Sequence, residues 1–309
     1  MKILVTGGAG FIGSHVVELL IGAGHDVAIV DDLSTGRRSN LNPKARFYQV
    51  DIRSPEMRAV FEKERPEVVD HHAAQMDVRK SVEDPLFDAD VNINGSIKLA
   101  QLAMEFGTRK FIHISSGGAV YGEPVYLPCD EDHPVRPLCP YGASKYTFEM
   151  YLFMFKELYG LDYSVIRYPN VYGPRQDPNG EAGVVAIFIG QMLAGKPVTI
   201  NGTGDQVRDF VYVGDCAKAN LATLGQGSGR VYNLGYGIGT TVNQIFDGLK
   251  EITGYPQEAH HGLAKVGETF RIYLDASRAK AELGWEPTVD LQEGLRRTVE
   301  YFKQTEVKK

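Results

Sequence analysis

Cysteine is scarce: Cys129, Cys139 and Cys216 are the three in 309 residues, and no two form a C-x-x-C. That excludes a disulfide framework and offers no thiolate zinc site, so reduced cytosol is the expected compartment. Cys129 and Cys139 flank a proline-rich stretch, and nothing near either marks a nucleophile. The histidine pairs His71-His72 and His260-His261 are adjacent rather than one helical turn apart, so packing or loop roles are expected and no metal site. An excess of positive charge is missing as well. Net charge is -6 and is spread along the chain, leaving no basic stripe for nucleic acid or an anionic membrane. No apolar run approaches a membrane span. The start, Met1-Lys2-Ile3-Leu4-Val5, leads directly into glycines, so no secretory signal is expected. Repeats, low-complexity tracts and long charge blocks are absent. With 43% hydrophobic and 23% charged residues, the composition is that of a globular protein with one large or two modest cores.

What is present begins at the N-terminus. Residues 2–6 read as a buried strand, followed by Thr6-Gly7-Gly8-Ala9-Gly10-Phe11-Ile12-Gly13 and an apolar-periodic helix over 14–21. Gly7, Gly10 and Gly13 permit a tight turn, close approach of backbone to a pyrophosphate, and close helix packing. The helix start then supplies N–H donors and positive dipole. A second strand over 26–30 ends at Asp31 and Asp32. Asp31 lies about twenty residues beyond the glycines, where an acid accepts from adenosine ribose hydroxyls and repels a 2′-phosphate. This favours NAD over NADP, and Leu33-Ser34-Thr35-Gly36 is read with Asp31 and Asp32 as cofactor-binding.

Further apolar runs at 47–50, 67–70 and 110–114 alternate with helical patterns at 55–64 and 95–106. The alternation predicts an α/β protein with a doubly wound parallel sheet of Rossmann type. Ligands gather at the C-terminal ends of such strands. Asp51-Ile52, Ala73-Ala74-Gln75 and Ser115-Ser116-Gly117 fall at those ends.

Pro140 at a first helical position introduces a helix over 143–159. One turn brings Tyr141 and Lys145 onto one face. A neighbouring ammonium favours the phenolate, so the Tyr141 pKa is expected to fall towards neutrality and make the hydroxyl a proton-transfer group. Later patterns give a strand over 163–167 and a Pro/Gly-rich loop over 168–175. A short strand over 197–201 and a strand over 231–234 follow, then helices over 241–252, 277–283 and 291–302. Arg208 in Val207-Arg208-Asp209-Phe210 suits a diphosphate clamp, since a guanidinium bonds two phosphate oxygens at once. A surface pair with Asp209 fits the same residues.

Taken together, Thr6-Gly7-x-x-Gly10-x-x-Gly13, Asn92 in Asn-Ile-Asn-Gly-Ser, Ser115-Ser116 before Val120-Tyr121-Gly122, and Tyr141-x-x-x-Lys145 resemble the extended short-chain dehydrogenase/reductase family. The likeness runs through nearly the whole chain. It is strongest to nucleotide-sugar 4-epimerases, which have stretches similar to His72-Ala73-Ala74-Gln75, Gly180-Glu181-Ala182-Gly183-Val184-Val185 and Leu283-Gly284-Trp285-Glu286-Pro287. The resemblance implies NAD as cofactor, a UDP-sugar substrate, a cytoplasmic enzyme and a homodimer paired through helices over 93–106 and 146–159. It implies an NAD-binding domain over 1–169, with return segments near 209–235, and a smaller, mainly nucleotide-sugar-binding α/β domain over 170–309.

In that family Tyr141, Lys145 and a serine do the chemistry. Asn92, His72, Tyr168 and Pro169 join the cofactor contacts. Asn170 and Arg208 hold diphosphate or sugar, Gly183, Val184 and Val185 open the segment that wraps the nucleotide, and Thr199 and Asn201 lie beside the uracil. The segment 210–215 is expected to return to the first domain, and Ile272 to govern room for a 2-N-acetyl group. Two departures stand out. The family's Arg-x-Gly-Asp falls on Lys265-Val266-Gly267-Glu268, and Gly117-Gly118 follows Ser115-Ser116 where relatives carry a hydroxyl, so either Ser116 (or Ser115) serves or the proton path is altered. A 4,6-dehydratase or decarboxylase and a non-catalytic NAD sensor share the fold. The former need an acid that Gly117-Gly118-Ala119 does not offer, and a sensor does not need Tyr141 and Lys145.

Overall fold

The computed structural model describes residues 1–178, 183–264 and 269–306. In chain order the first half comprises β1 (Lys2–Thr6), α1 (Phe11–Gly22), β2 (Asp26–Val30), β3 (Arg46–Tyr48), α2 (Met57–Glu64) and β4 (Val68–His71). It continues with α3 (Val78–Glu83), α4 (Pro85–Ala89), a π-helical stretch Asp90–Gly95, α5 (Ser96–Glu105), β5 (Lys110–Ser116), the short α6 (Gly117–Val120), α7 (Pro140–Tyr159) and β6 (Asp162–Tyr168). A later strand, β11 (Arg230–Asn233), returns to pair with β6. The sheet order is β11-β6-β5-β4-β1-β2-β3, and every pairing in it is parallel.

Strand alternation assigns the two faces. Ile3 and Val5 meet Val16, Val17 and Leu20 of α1, while Leu4 between them meets Phe61, Leu99, Phe148 and Leu152 of α2, α5 and α7. With helices on both sides, the central strands β1, β4, β5 and β6 are buried on both faces, as in parallel sheets generally, while the edge strand β3 is not. Strand order reverses between β1 and β4, which opens the ligand crevice at their C-terminal ends.

The second half builds a smaller α/β domain from β7 (Asn170–Tyr172), α8 (Val184–Leu193), β8 (Thr199–Asn201), β9 (Val207–Arg208), β10 (Phe210–Tyr212), α9 (Val213–Thr223), β12 (Thr240–Thr241), α10 (Val242–Thr253), β13 (His260–Gly262), α11 (Ser277–Leu283) and α12 (Leu291–Glu306). Its core joins Ile189, Ile245, Leu249, Leu295 and Val299. Not all of it stays there. Cys216 and Ala217 of α9, with Ala279 and Trp285 around α11, bury themselves in the first core.

Three expectations change. Residues 168–175 are not all loop: Asn170–Tyr172 pairs with Phe210–Tyr212 in a two-stranded parallel sheet, a partner forty residues away that local composition does not reveal. For the same reason 210–215 does not return as a unit. Its first three residues hold β7, and α9 makes the return. The 47–50 strand ends at Tyr48, where its β2 partner Val30 also ends. Among the described residues no helix is long and apolar enough to cross a membrane, and no group of His, Cys, Asp or Glu could hold a metal.

Candidate active site

The crevice has a cradle on one side. Gly7 takes φ 68°, a left-handed conformation that glycine adopts without strain, and a Cβ there would stand 2.7 Å from the Ala73 backbone nitrogen. A Cβ at Gly13 would stand 2.3 Å from the Gly7 carbonyl oxygen. Only bare backbone fits between β1, α1 and the end of β4. The α1 N-cap, Gly10, makes no side-chain cap, so the first-turn N–H groups of Phe11, Ile12 and Gly13 have no capping side chain. A diphosphate suits such a site.

Asp31 ends β2 at the cradle, accepting from the Ala9 N–H at 2.9 Å and the Leu33 N–H at 2.9 Å. A Cβ at Gly36 would stand 2.5 Å from its carboxylate. Burial pushes the Asp31 pKa up and those two N–H bonds oppose it. Asp32 instead closes an exposed turn, accepting from the Ser34 N–H and hydroxyl at 2.8 and 2.6 Å, and Thr35 is exposed beside it. Asp51 is held below the usual carboxylate range by Arg53. Ile52 departs from expectation: its side chain is packed in the sheet core with Met57 and Phe61, so only its backbone is available to a ligand.

Across the crevice, β4 runs into His72-Ala73-Ala74-Gln75. The Ala73 N–H donates to the Thr6 hydroxyl at 3.2 Å, and His72 Nε2 lies 3.0 Å from Asp70 Oδ1, both side chains being buried. Asn92 sits on the π-helical stretch, a departure from α-geometry that often marks functional sites. It exchanges bonds with the Gln75 backbone at 2.9 Å each way and donates to the Ser144 hydroxyl at 3.2 Å. Its other partner, Asp88, was not among the expected site residues. Asp88 Oδ1 accepts from Gln75 Nε2 at 2.9 Å and Asn92 Nδ2 at 3.0 Å. The signal was the spacing, since an acid four residues before Asn92 in a helical stretch lies on the same face.

The helix α7 starts as the sequence implies, with Pro140 in its first turn and the Cys139 sulfur accepting from the Gly142 N–H at 3.4 Å. Gly142 lets that turn lie against Ala119, whose carbonyl oxygen would be 2.4 Å from a Cβ there. Lys145 is buried and donates to the Ile114 carbonyl at 2.9 Å, which fixes it to β5. Tyr141 is half-buried. The two serines part company because successive residues on a strand face opposite ways. The Ser115 hydroxyl donates to Glu149 at 2.5 Å inside the core, which removes it from the reacting groups, whereas Ser116 bonds with Tyr141. Gly117 explains the missing hydroxyl, since a Cβ there would stand 2.3 Å from Leu274 Cδ1.

The pKa expectation is overturned. Burial pushes the Tyr141 phenol up to about 12, with the Ser116 bond the one downward influence. Burial likewise pushes Lys145 down to about 8, opposed by Asp88 and Glu149. Desolvation disfavours both charged forms and outweighs one turn of helical proximity.

From the smaller domain, Asn170 Oδ1 comes within 3.7 Å of a Cβ built at Gly118, which sets Asn170 beside the end of β5. Tyr168 and Pro169 lead to it, the Tyr168 ring being 6.5 Å from that of His72. Arg208 Nη1 donates to the carbonyls of Val207 and Phe270 at 2.9 and 3.3 Å. The surface pair with Asp209 is excluded by burial: that carboxylate accepts from the N–H groups of Tyr236, Gly237 and Leu274 inside the protein. Gly183 precedes α8 and Val184 is its first residue, but the Val185 side chain points into the domain core and cannot line a site. Thr199 is exposed and Asn201 half-buried on β8. Ile272 also differs from expectation, packed among Val120, Tyr121, Cys129 and Leu274 rather than on the site's surface. Lys265 and Glu268 lie outside the described residues.

The family model described as "NAD dependent epimerase/dehydratase family" matches residues 3–235. The chain belongs to that family. NAD is therefore its cofactor, and the glycine cradle and Asp31 fit it. A putative UDP-glucose 4-epimerase of Methanocaldococcus jannaschii is 50% identical over 301 residues, covering 97% of this chain and 98% of that protein. Among solved structures, a UDP-glucose 4-epimerase of Thermotoga maritima with UDP-glucose has a TM-score of 0.97 at 53% identity, covering 99% of each chain. The UDP-glucose 4-epimerase of Thermus thermophilus, in complex with NAD, has a TM-score of 0.95 at 44% identity, covering 98% of this chain and 99% of that one. The extended short-chain dehydrogenase/reductase resemblance and the doubly wound fold it implied agree with all of these.

Proposed function

We propose that this protein inverts the C4 hydroxyl of a UDP-hexose, UDP-glucose and UDP-galactose first, through a transient 4-keto sugar. The observation that carries the reading is the meeting of Tyr141, Lys145 and Ser116 at the end of β5, with the glycine cradle on one side and Asn170 on the other. Tyr141 takes the proton from the sugar 4-hydroxyl, and Ser116 orients it. NAD, when bound, supplies the hydride acceptor and donor and a positive charge that favours the phenolate. Lys145, one turn along, adds its ammonium to the same end. Asn170 and Arg208 hold the diphospho-sugar while the keto form turns over and receives hydride on its other face, Tyr141 returning the proton to the C4 oxygen. Gly183, Val184, Thr199, Asn201, Lys265 and Glu268 belong to the nucleotide side of this reading. A dehydratase or decarboxylase needs a further acid after the serines, and the space at Gly117 is filled by Leu274.

The test is incubation with separate UDP-hexoses and UDP-N-acetylhexosamines without added cofactor, scoring C4 inversion by NMR. Inversion of UDP-glucose or UDP-galactose is expected. Absence of turnover across the panel by protein that retains NAD would replace the reading with an NAD-sensing role.

The reading includes a cytoplasmic location, to which the three free cysteines are suited, and a homodimer. Its support is a stripe on α7: Met150, Phe153, Met154 and Leu158 are 53%, 56%, 40% and 69% exposed, at helical spacing and facing away from the sheet core. Phe153→Glu with Leu158→Glu is expected to give a monomer by sedimentation where the wild type sediments as a dimer. A monomeric wild type would remove this part of the proposal.

A further inference from the structure

Asp88 is a carboxylate at the site whose hydrogen bonds come from neutral side-chain amides alone. Asp88 is 1% exposed. Its Oδ1 accepts only from the amides of Gln75 and Asn92, and its Oδ2 is buried with no hydrogen-bond partner. A buried carboxylate left to neutral amides is costly, so a cation close by is expected to compensate it. The hydrogen bonds lead towards one. Asn92 donates to both Asp88 and the Ser144 hydroxyl, Ser144 donates to the Tyr141 carbonyl at 3.0 Å, and the next residue is Lys145.

The groups around Lys145 are Asp88 from α4, Glu149 and Tyr141 from its own helix, His71 from β4 and His113 from β5. Burial, reinforced by Lys145, holds both histidines neutral. Glu149 is matched by Arg167, which bonds both of its oxygens at 3.0 and 2.6 Å. That leaves Asp88, whose Oδ2 is buried with no hydrogen-bond partner, as the carboxylate here without a matched cation, and it is the first of the two influences that favour the protonated form of Lys145.

We propose that Asp88 is a positioning residue that acts as the buried counter-charge of Lys145, keeping it an ammonium ion, and ties the first turn of α7 to the end of β4. The proposal rests on the epimerase reading. Lys145 loses its charge as pH rises through its pKa, so its titration forms the alkaline limb of the turnover profile. Removing a negative neighbour lowers that pKa and moves the limb to lower pH.

Asp88→Asn separates charge from hydrogen bonding, because its amide oxygen can still accept from Gln75 and Asn92. For the NAD-loaded enzyme with UDP-glucose, the alkaline limb of kcat in Asp88→Asn is expected about one pH unit lower. Asp88→Glu, which keeps the charge, restores it towards wild type. A double-mutant cycle with Lys145→Met, read by urea midpoint, supplies an independent measure. Asp88→Asn is expected to lower the midpoint in the wild type and raise it in Lys145→Met, where Asp88 has lost its cation. Folding of the double variant when Asp88→Asn alone fails to fold is the same result in stronger form. An unmoved limb, equal midpoint changes in both backgrounds, or loss of fold in both overturns the proposal. Absence of wild-type turnover would instead sink the epimerase reading, and the midpoint cycle would still decide the role of Asp88.

Discussion

Tyr141→Phe is expected to cut UDP-hexose turnover by about 10²–10⁴-fold, the contribution of a positioned acid–base group, with fold and NAD content unchanged. The ring keeps its packing at the start of α7, and the deleted atom is the one that bonds with Ser116. Because burial pushes the phenol up to about 12, the hydroxyl is protonated at neutral pH until charge is supplied next to it. Ser116→Ala, which removes the hydrogen bond favouring the phenolate, is expected to lose less, because the proton-transfer atom remains. Turnover is measured by NMR under saturating UDP-glucose, with NAD content read from the released nucleotide. Near-normal turnover in Tyr141→Phe would show that another group moves the proton and would remove Tyr141 from the mechanism.

What was legible in the sequence is what short-range chemistry dictates. The bounds of β1, β2 and α11 follow from apolar runs, glycines and caps, and the cradle follows from glycine spacing that backbone contact at Gly7 and Gly13 demands. Asp31 was legible because strand length and turn length fix its distance from those glycines. Hidden were features made by partners distant in the chain. The pairing of Asn170–Tyr172 with Phe210–Tyr212, the burial of Asp209 under three backbone N–H groups and the packing of Leu274 over Gly117 all depend on tertiary closure.

The Tyr141 pKa is hidden for a related reason: a sequence shows the neighbouring charge but not the desolvation of the phenol that opposes it. The choice between Ser115 and Ser116, by contrast, could have been narrowed from strand alternation. One of the pair had to face the helix that carries Glu149.

That inward-facing serine opens onto a polar network crossing the core, and breaking it is the largest stability effect expected. Ser115 donates to Glu149. Glu149 accepts two bonds from Arg167, whose Nη1 donates to the Tyr121 hydroxyl at 2.7 Å. Tyr121 donates to Asn233 Oδ1 at 2.7 Å, and Asn233 Nδ2 donates to the Cys129 carbonyl at 2.9 Å. The Glu149 and Arg167 side chains are 5% and 4% exposed, so neither charge can be rehydrated if its partner is lost. Arg167→Leu is therefore expected to cost about 3–5 kcal/mol, chiefly from stranding the Glu149 charge. Adding Glu149→Leu removes the stranded charge and is expected to recover a substantial part of the loss, so the two substitutions combine far from additively. Urea unfolding of the two single variants and the double variant measures this. A single-variant loss below about 1 kcal/mol, the range of an exposed pair, would show that water reaches the site. The network also spans β5, β6, α7 and β11, and one end lies beside Ser116. Partial loss of activity in folded Arg167→Leu protein is thus the expected sign that this buried pair holds the catalytic strand end in place.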